Sequence, residues 1–152
     1  MERIVFATTH CYLRDQRGAM FPSLTLLSTI GLYISTYFTL VSYGKIRADS
    51  RFVPWFCRMD EGSCALIIHH RDASVFGVPN SLLGIGYYGT LLAAGLSGGE
   101  VLSMHVLQVI AWLCVVLGVY LVYSLVLKVK VLCPLCLISH SINLVIAILL
   151  TL

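Results

Sequence analysis

Charge is what this sequence has least of. Only 11% of its 152 residues are Asp, Glu, Lys or Arg, and 59% are hydrophobic, whereas a soluble domain is about a quarter charged and about half apolar. That balance excludes a disordered chain, a coiled coil and a small secreted disulfide knot, and marks an integral membrane protein embedded in a lipid bilayer. The net charge of +3 comes from ten basic and seven acidic residues spread over ends and loops. A dense basic stretch of the kind that binds phosphate backbones is missing, so nucleic acid is not expected as a partner. Internal repeats and low-complexity segments are missing too, and nothing suggests a second domain. Residues 1–152 therefore read as a single transmembrane domain.

Long apolar runs are what the sequence has instead. Crossing the hydrocarbon core of a bilayer takes roughly 20 apolar residues, with about 17 to 25 tolerated. Four stretches have that length, at about 21–43, 81–98, 101–127 and 132–152. Backbone polar groups in lipid must be satisfied within the segment, so all four are predicted to be helices. The first is far longer than the roughly 7 to 15 residues of a signal-peptide core and reads as retained. Short turns at Ser97-Gly98-Gly99-Glu100 and Lys128-Val129-Lys130 make neighbouring helices antiparallel. The expected fold is an all-α membrane protein, a four-transmembrane-helix bundle. Gly89 and Ala93, four apart in the second span, have the spacing at which small residues let helices approach closely in lipid.

The one long polar connection is the loop 44–80, with five basic and four acidic residues. Within it Ala65 to Ile68 form an apolar run followed by His69, His70, Arg71 and Asp72, which reads equally as a short half-helix on the membrane surface or as a packed loop.

Six cysteines occur, and their placement carries the chemistry. Cys57 and Cys64 lie in the long loop. Cys133-Pro134-Leu135-Cys136 opens the fourth span, beside the third connection. In a four-span chain the first and third connections share a side, so both pairs do as well. A Cys-x-x-Cys at a helix start puts its two sulfurs on one face, where N–H groups and the helix dipole favour a thiolate. Two dithiols within reach of each other can hand a disulfide across by exchange through a mixed intermediate, here between Cys64 and Cys133.

Below Cys136, helical spacing aligns His140 and Asn143 in one polar line descending into lipid. Such groups are costly there and commonly functional, although they serve equally to bind helices together. Asn80, at the head of the second span, is suited both to cap that helix and to donate a hydrogen bond to a carbonyl. A membrane-soluble quinone fits a cleft of this kind. Cys11, in what reads as a disordered or surface tail, and Cys114, amid apolar residues in mid-span, are read as having no role, because buried free cysteine behaves as a small hydrophobe.

Orientation rests on two opposed arguments. With the N-terminus in the cytoplasm, three basic residues lie inside and seven outside, against the positive-inside rule. Disulfide chemistry favours the extracytoplasmic side, except where hyperthermophiles keep intracellular disulfides. The active side is expected to be extracytoplasmic, with an inward-facing site as the alternative.

The loop pair Cys57 and Cys64, the Ser74-Val75-Phe76-Gly77 element, Pro79-Asn80-Ser81-Leu82-Leu83-Gly84, and Cys133-Pro134-Leu135-Cys136 followed by His140 and Asn143 together resemble the vitamin K epoxide reductase family, specifically its prokaryotic, disulfide-generating members. The similarity covers about residues 24 to 150. It implies a prokaryotic plasma-membrane bundle around a quinone (menaquinone, ubiquinone or similar), capped by a half-helix in the redox loop. By this resemblance Cys57 exchanges with a thioredoxin-like partner, Cys64 relays to Cys133, Cys136 attacks or forms an adduct with the quinone, and Asn80 hydrogen-bonds a quinone oxygen. Ser74 matches a polar family position near the loop cysteines. His140 stands where the animal enzymes have a tyrosine facing the quinone, which argues against vitamin K epoxide itself as substrate. No thioredoxin-like domain is fused to these residues, so the partner is expected to be a separate protein. The expected net reaction needs no metal. The rival reading is a membrane protein in which Cys57, Cys64, Cys133 and Cys136 bind zinc as a tetrahedral thiolate site.

Overall fold

The computed structural model describes residues 2–46, 74–75, 77–98, 103–130 and 133–151, with side chains from Met20 onward. Nearly all of these are helical. Helix α1 runs from Glu2 to Ser42. It corrects the expectation of a surface tail before residue 21, because the helix continues back through Pro22. Residues 2–20 contain no proline and one glycine, Gly18, so nothing in them breaks a helix; the charges of Arg3, Arg14, Asp15 and Arg17 unsuit that part for lipid without stopping it from coiling. The apolar part, Met20–Ser42, is long enough to cross a membrane. Several of its hydroxyls are satisfied within the helix: Thr25 donates to the Phe21 carbonyl and Thr39 to that of Ser35, each at 2.8 Å, whereas Ser28 Oγ is buried with no partner among the described residues.

A small antiparallel hairpin, β1 (Ser74–Val75) and β2 (Val78–Pro79), pairs Ser74 with Pro79 and Val75 with Val78. Its tight turn contains Gly77 at φ +80°, a conformation that glycine adopts without steric penalty. Strands of two residues carry no periodicity, and the sequence reading misses them. The rest of the expected redox loop, residues 47–73, lies outside the described residues. So do Cys57, Cys64 and the half-helix expected at Ala65 to Ile68.

Helix α2 follows β2 directly, from Asn80 to Leu96. Helix α3 spans Met104–Tyr123 and continues as a π-helical turn over Ser124–Val129. Lys130 ends it in the left-handed conformation, φ 55°, donating its N–H to the Leu125 carbonyl. The connection expected to begin at Lys128 thus begins at Lys130, because the helix widens at its end instead of stopping. Helix α4 runs from Pro134 to Thr151. The segments Met104–Lys128 and Pro134–Thr151 join Met20–Ser42 as helices long and apolar enough to span a bilayer. With 17 residues, α2 stands at the lower edge of the spanning range.

Helix α1 packs along α2, and α3 along α4, with a lesser contact between α1 and α4. The expected Gly89 and Ala93 contact is not the one used: a Cβ at Gly89 meets open space, and Ala93 is exposed. Gly84 and Gly95 instead approach Ser35 and Thr25 of α1. Small residues occur on two faces of α2, and spacing alone does not say which one meets a neighbour. The core centres on Leu24, Tyr88, Leu91, Leu107 and Ile146, while Leu113, Val116 and Val119 of α3 stay exposed, as suits a surface bathed in lipid.

Candidate active site

A cavity of about 220 Å³ lies at the end of the bundle where α1 and the π-helical turn finish and where α2 and α4 begin. The helix directions explain its contents: each element brings polar residues to this end and apolar ones to the middle.

Cys133 sits immediately before α4 and is fully buried. Its carbonyl accepts the Leu137 N–H at 3.1 Å and its Sγ accepts the Cys136 N–H at 3.4 Å, so it occupies the N-cap position, where a helix offers unpaired N–H groups and the positive end of its dipole. Cys136, one turn on, has a free thiol and lines the cavity. His140 and Asn143 follow on the same wall, so the expected polar line down α4 does face the interior. Asn80 also lines the cavity. Its capping role is not realised, since Pro79 holds the N-cap of α2 and Asn80 is the first helical residue. Ser74 is exposed on β1 and does not belong to the cavity lining.

Three residues that sequence reasoning misses complete the walls. Tyr87 and Tyr88 come from α2 and Cys114 from α3. Cys114, expected to sit amid apolar residues in mid-span, faces the cavity, as does Gly118 one turn further along α3. A register argument finds all of them. Counted from Asn80, positions 84, 87 and 88 fall on one helical face, and Cys114 and Gly118 are four apart.

The polar atoms are unevenly partnered. The Tyr88 hydroxyl donates to Asn143 Oδ1 at 2.6 Å and lies 3.3 Å from Ser139 Oγ. Asn143 therefore does join helices, as the alternative reading of it holds. The Tyr87 hydroxyl and His140 Nδ1 are buried with no hydrogen-bond partner among the described residues. His140 fits only because residue 118 has no side chain, since a Cβ there would come within 2.7 Å of Nδ1. Buried polar groups left unsatisfied in this way are uncommon and call for a ligand or water. Among the described residues, no group of three or more His, Cys, Asp or Glu side chains is placed to hold a metal.

The arrangement can do two things chemically. A sulfur pair stands at the head of α4, Cys133 buried at the N-cap and Cys136 on the cavity wall, and a mostly apolar chamber presents a few hydrogen-bonding groups of the sort that orient a small planar molecule. No curated protein matches the chain. The model of the Vitamin K epoxide reductase family matches residues 22–151, a range that holds α2, α3, α4, nearly all of the apolar part of α1 and every described residue of the cavity. The chain belongs to the vitamin K epoxide reductase family, and is thus an integral membrane oxidoreductase of a group that is linked in general to quinones and thiols.

Proposed function

We propose that this protein is a quinone-linked thiol oxidase that makes disulfide bonds in a separate thioredoxin-like partner. A single observation carries the reading: Cys136 opens into an apolar cavity while Cys133, three residues before it, is buried at the N-cap of the same helix. In the proposed sequence, the partner's dithiol reduces a Cys57–Cys64 disulfide by thiol exchange. Cys64 then attacks the sulfur of Cys133 in a Cys133–Cys136 disulfide, releasing Cys136 as a thiolate, and attack by Cys57 on Cys64 frees Cys133. Two electrons and two protons leave the partner, whose thiols become a disulfide, and the same two electrons and protons convert a quinone to its quinol.

The residues present fit a quinone. The cavity walls are largely carbon, and the Tyr87 hydroxyl and His140 Nδ1 are buried groups with hydrogen-bonding capacity to spare. Asn80, His140 and Asn143 would hold the ring oxygens, and the apolar remainder of the walls would exclude water. A bound quinone supplies the two-electron acceptor chemistry that no side chain offers. A role for Ser74 on the exposed hairpin is one of docking or loop support, away from the ring. Nothing favours the zinc reading: family membership speaks for redox chemistry.

The finer topology is also proposed. Helix α2 crosses as the fourth span, residues 1–152 form one domain with a redox loop at 44–80, and the cysteine face lies on the extracytoplasmic side of a prokaryotic plasma membrane. Cys57 or Cys64 in intact cells is then expected to react with a membrane-impermeant thiol reagent before lysis. Protection until lysis would place the site inside.

The relay is tested by trapping. A Cys64→Ala variant cannot resolve the bond between Cys57 and its donor, so a mixed disulfide with a thioredoxin-like protein is expected to accumulate under oxidising conditions and to vanish on reduction. If no such species forms, the thiol-exchange route is wrong.

A further inference from the structure

Asn80 and Cys136 line the outer end of the cavity, at or near the starts of α2 and α4. Tyr87 lies seven residues into α2 from Asn80, and Asn143 seven residues along α4 from Cys136, which at the helical rise puts both about 10 Å deeper. The inner end thus has its own polar groups. Tyr87 contributes a buried hydroxyl with no partner among the described residues. Asn143 contributes an amide whose direction is fixed, because Oδ1 accepts the Tyr88 hydroxyl at 2.6 Å. With its oxygen so engaged, what the Asn143 side chain can offer a ligand is its –NH₂. Tyr88 itself is held rigidly, 2% exposed, with its ring against Gly31 of α1.

Both inner groups are donors, and among the described residues no charged side chain lines the cavity. A donor pair at the far end of a chamber suits a ligand whose second acceptor lies across the ring from the first. We propose that Tyr87 and Asn143 form a second carbonyl-binding pole at the inner end of the cavity, with Tyr88 as the positioning residue that turns the Asn143 amide nitrogen toward the ligand. The site then selects para-diones over ketones with one carbonyl. This inference rests on the quinone reading and adds to it which residues set the specificity. The alternative occupant of the inner end is water, which would satisfy the same hydroxyl without discriminating between ligands.

The experiment is equilibrium binding to the protein in lipid nanodiscs, with two probes: 2,3-dimethyl-1,4-naphthoquinone and the mono-ketone 2,3-dimethyl-1-tetralone, whose saturated ring keeps its one carbonyl from enolising to a naphthol. Tyr87→Phe removes an oxygen with no partner among the described residues, so the fold is not expected to suffer. One neutral hydrogen bond corresponds to a loss of roughly fivefold to tenfold in affinity. That loss is expected for the dione, with the mono-ketone unchanged within about twofold by the same reasoning. Tyr88→Phe keeps the ring against Gly31 and is expected to show the same selective loss in smaller measure. Infrared spectra of the dione, which is symmetric in solution, provide the second readout. Both carbonyl bands are expected to be shifted down in the wild-type protein, and one is expected to return toward its free position in Tyr87→Phe. Equal losses for the two probes, or a carbonyl spectrum that Tyr87→Phe leaves unmoved, overturn the inner pole and leave the quinone reading standing. Wild-type protein that binds neither probe overturns both.

Discussion

Replacing Cys136 with serine is expected to lower dithiol-driven quinone reduction by at least about a hundredfold, as loss of a reacting nucleophile does when the remaining groups cannot substitute for it. Serine is nearly the same size, so the helix start and the cavity wall should survive the change. What disappears is the sulfur that joins the two halves of the site. Cys133 is fully buried at the N-cap, whereas Cys136 is the member of the pair that lines the cavity. A hydroxyl at 136 can neither form a disulfide with Cys133 nor act as a soft nucleophile toward a dione. Binding of a quinone is expected to stay within a few-fold of wild type, since walls and polar groups are unchanged. The assay is loss of quinone absorbance with a dithiol as reductant, paired with equilibrium binding. Activity within tenfold of wild type would remove Cys136 from the reaction.

The second large effect concerns stability. Gly31 of α1 lies so close to the Tyr88 ring that an added Cβ would overlap three of its carbons. Valine at 31 therefore forces either the tyrosine or the helix pair to move, and the α1 and α2 contact is the most extensive in the bundle. Overpacking of this kind costs about 1 to 3 kcal/mol, occasionally more, and the upper end is expected because the obstacle is a buried ring tied at its far end to Asn143. The same displacement would release the Asn143 amide, so thermal stability and dione affinity should fall together. A double-mutant cycle isolates the cause. Tyr88→Ala leaves a cavity and destabilises the protein by itself, by roughly 3 to 5 kcal/mol on the scale of aromatic truncations, yet Gly31→Val should cost less in that background because the clash is gone. Additive costs, measured as thermal midpoints of protein in lipid, would show that the contact is not what Gly31 protects.

The parts legible in the sequence are those that leave a long or chemically distinctive trace. Apolar runs about 20 residues long announce the membrane helices, and helical spacing from the Cys-x-x-Cys through His140 to Asn143 is enough to put these polar groups on one face of α4. The helical stretch before residue 21 is hidden because its charges argue against lipid, and an aqueous helix there has no apolar stripe distinguishing it from a tail. Tyr87 and Tyr88 are hidden for the opposite reason. Among so many apolar neighbours an aromatic pair looks like lipid-facing filler, and only the register counted from Asn80 separates it from a residue such as Leu82, which is exposed. Gly89 and Ala93 show the limit of spacing rules: helical periodicity defines faces, and the partner that chooses between them is determined by the rest of the bundle. The hairpin at residues 74–79 is set by a turn and two backbone pairings, and neither requires a pattern of side chains.

The π-helical turn over Ser124–Val129 has a consequence for how the chamber can breathe. Its widened backbone turns two successive side chains, Ser124 and Leu125, inward, and both lie on the cavity. The roof is thus built from a bulge in the main chain. Such a bulge alters its shape when a carbonyl trades its present N–H for the adjacent one, sliding along the coil by a residue. A slide of this kind would exchange Ser124 and Leu125 for their neighbours on the cavity wall and so change its height without any movement of α4.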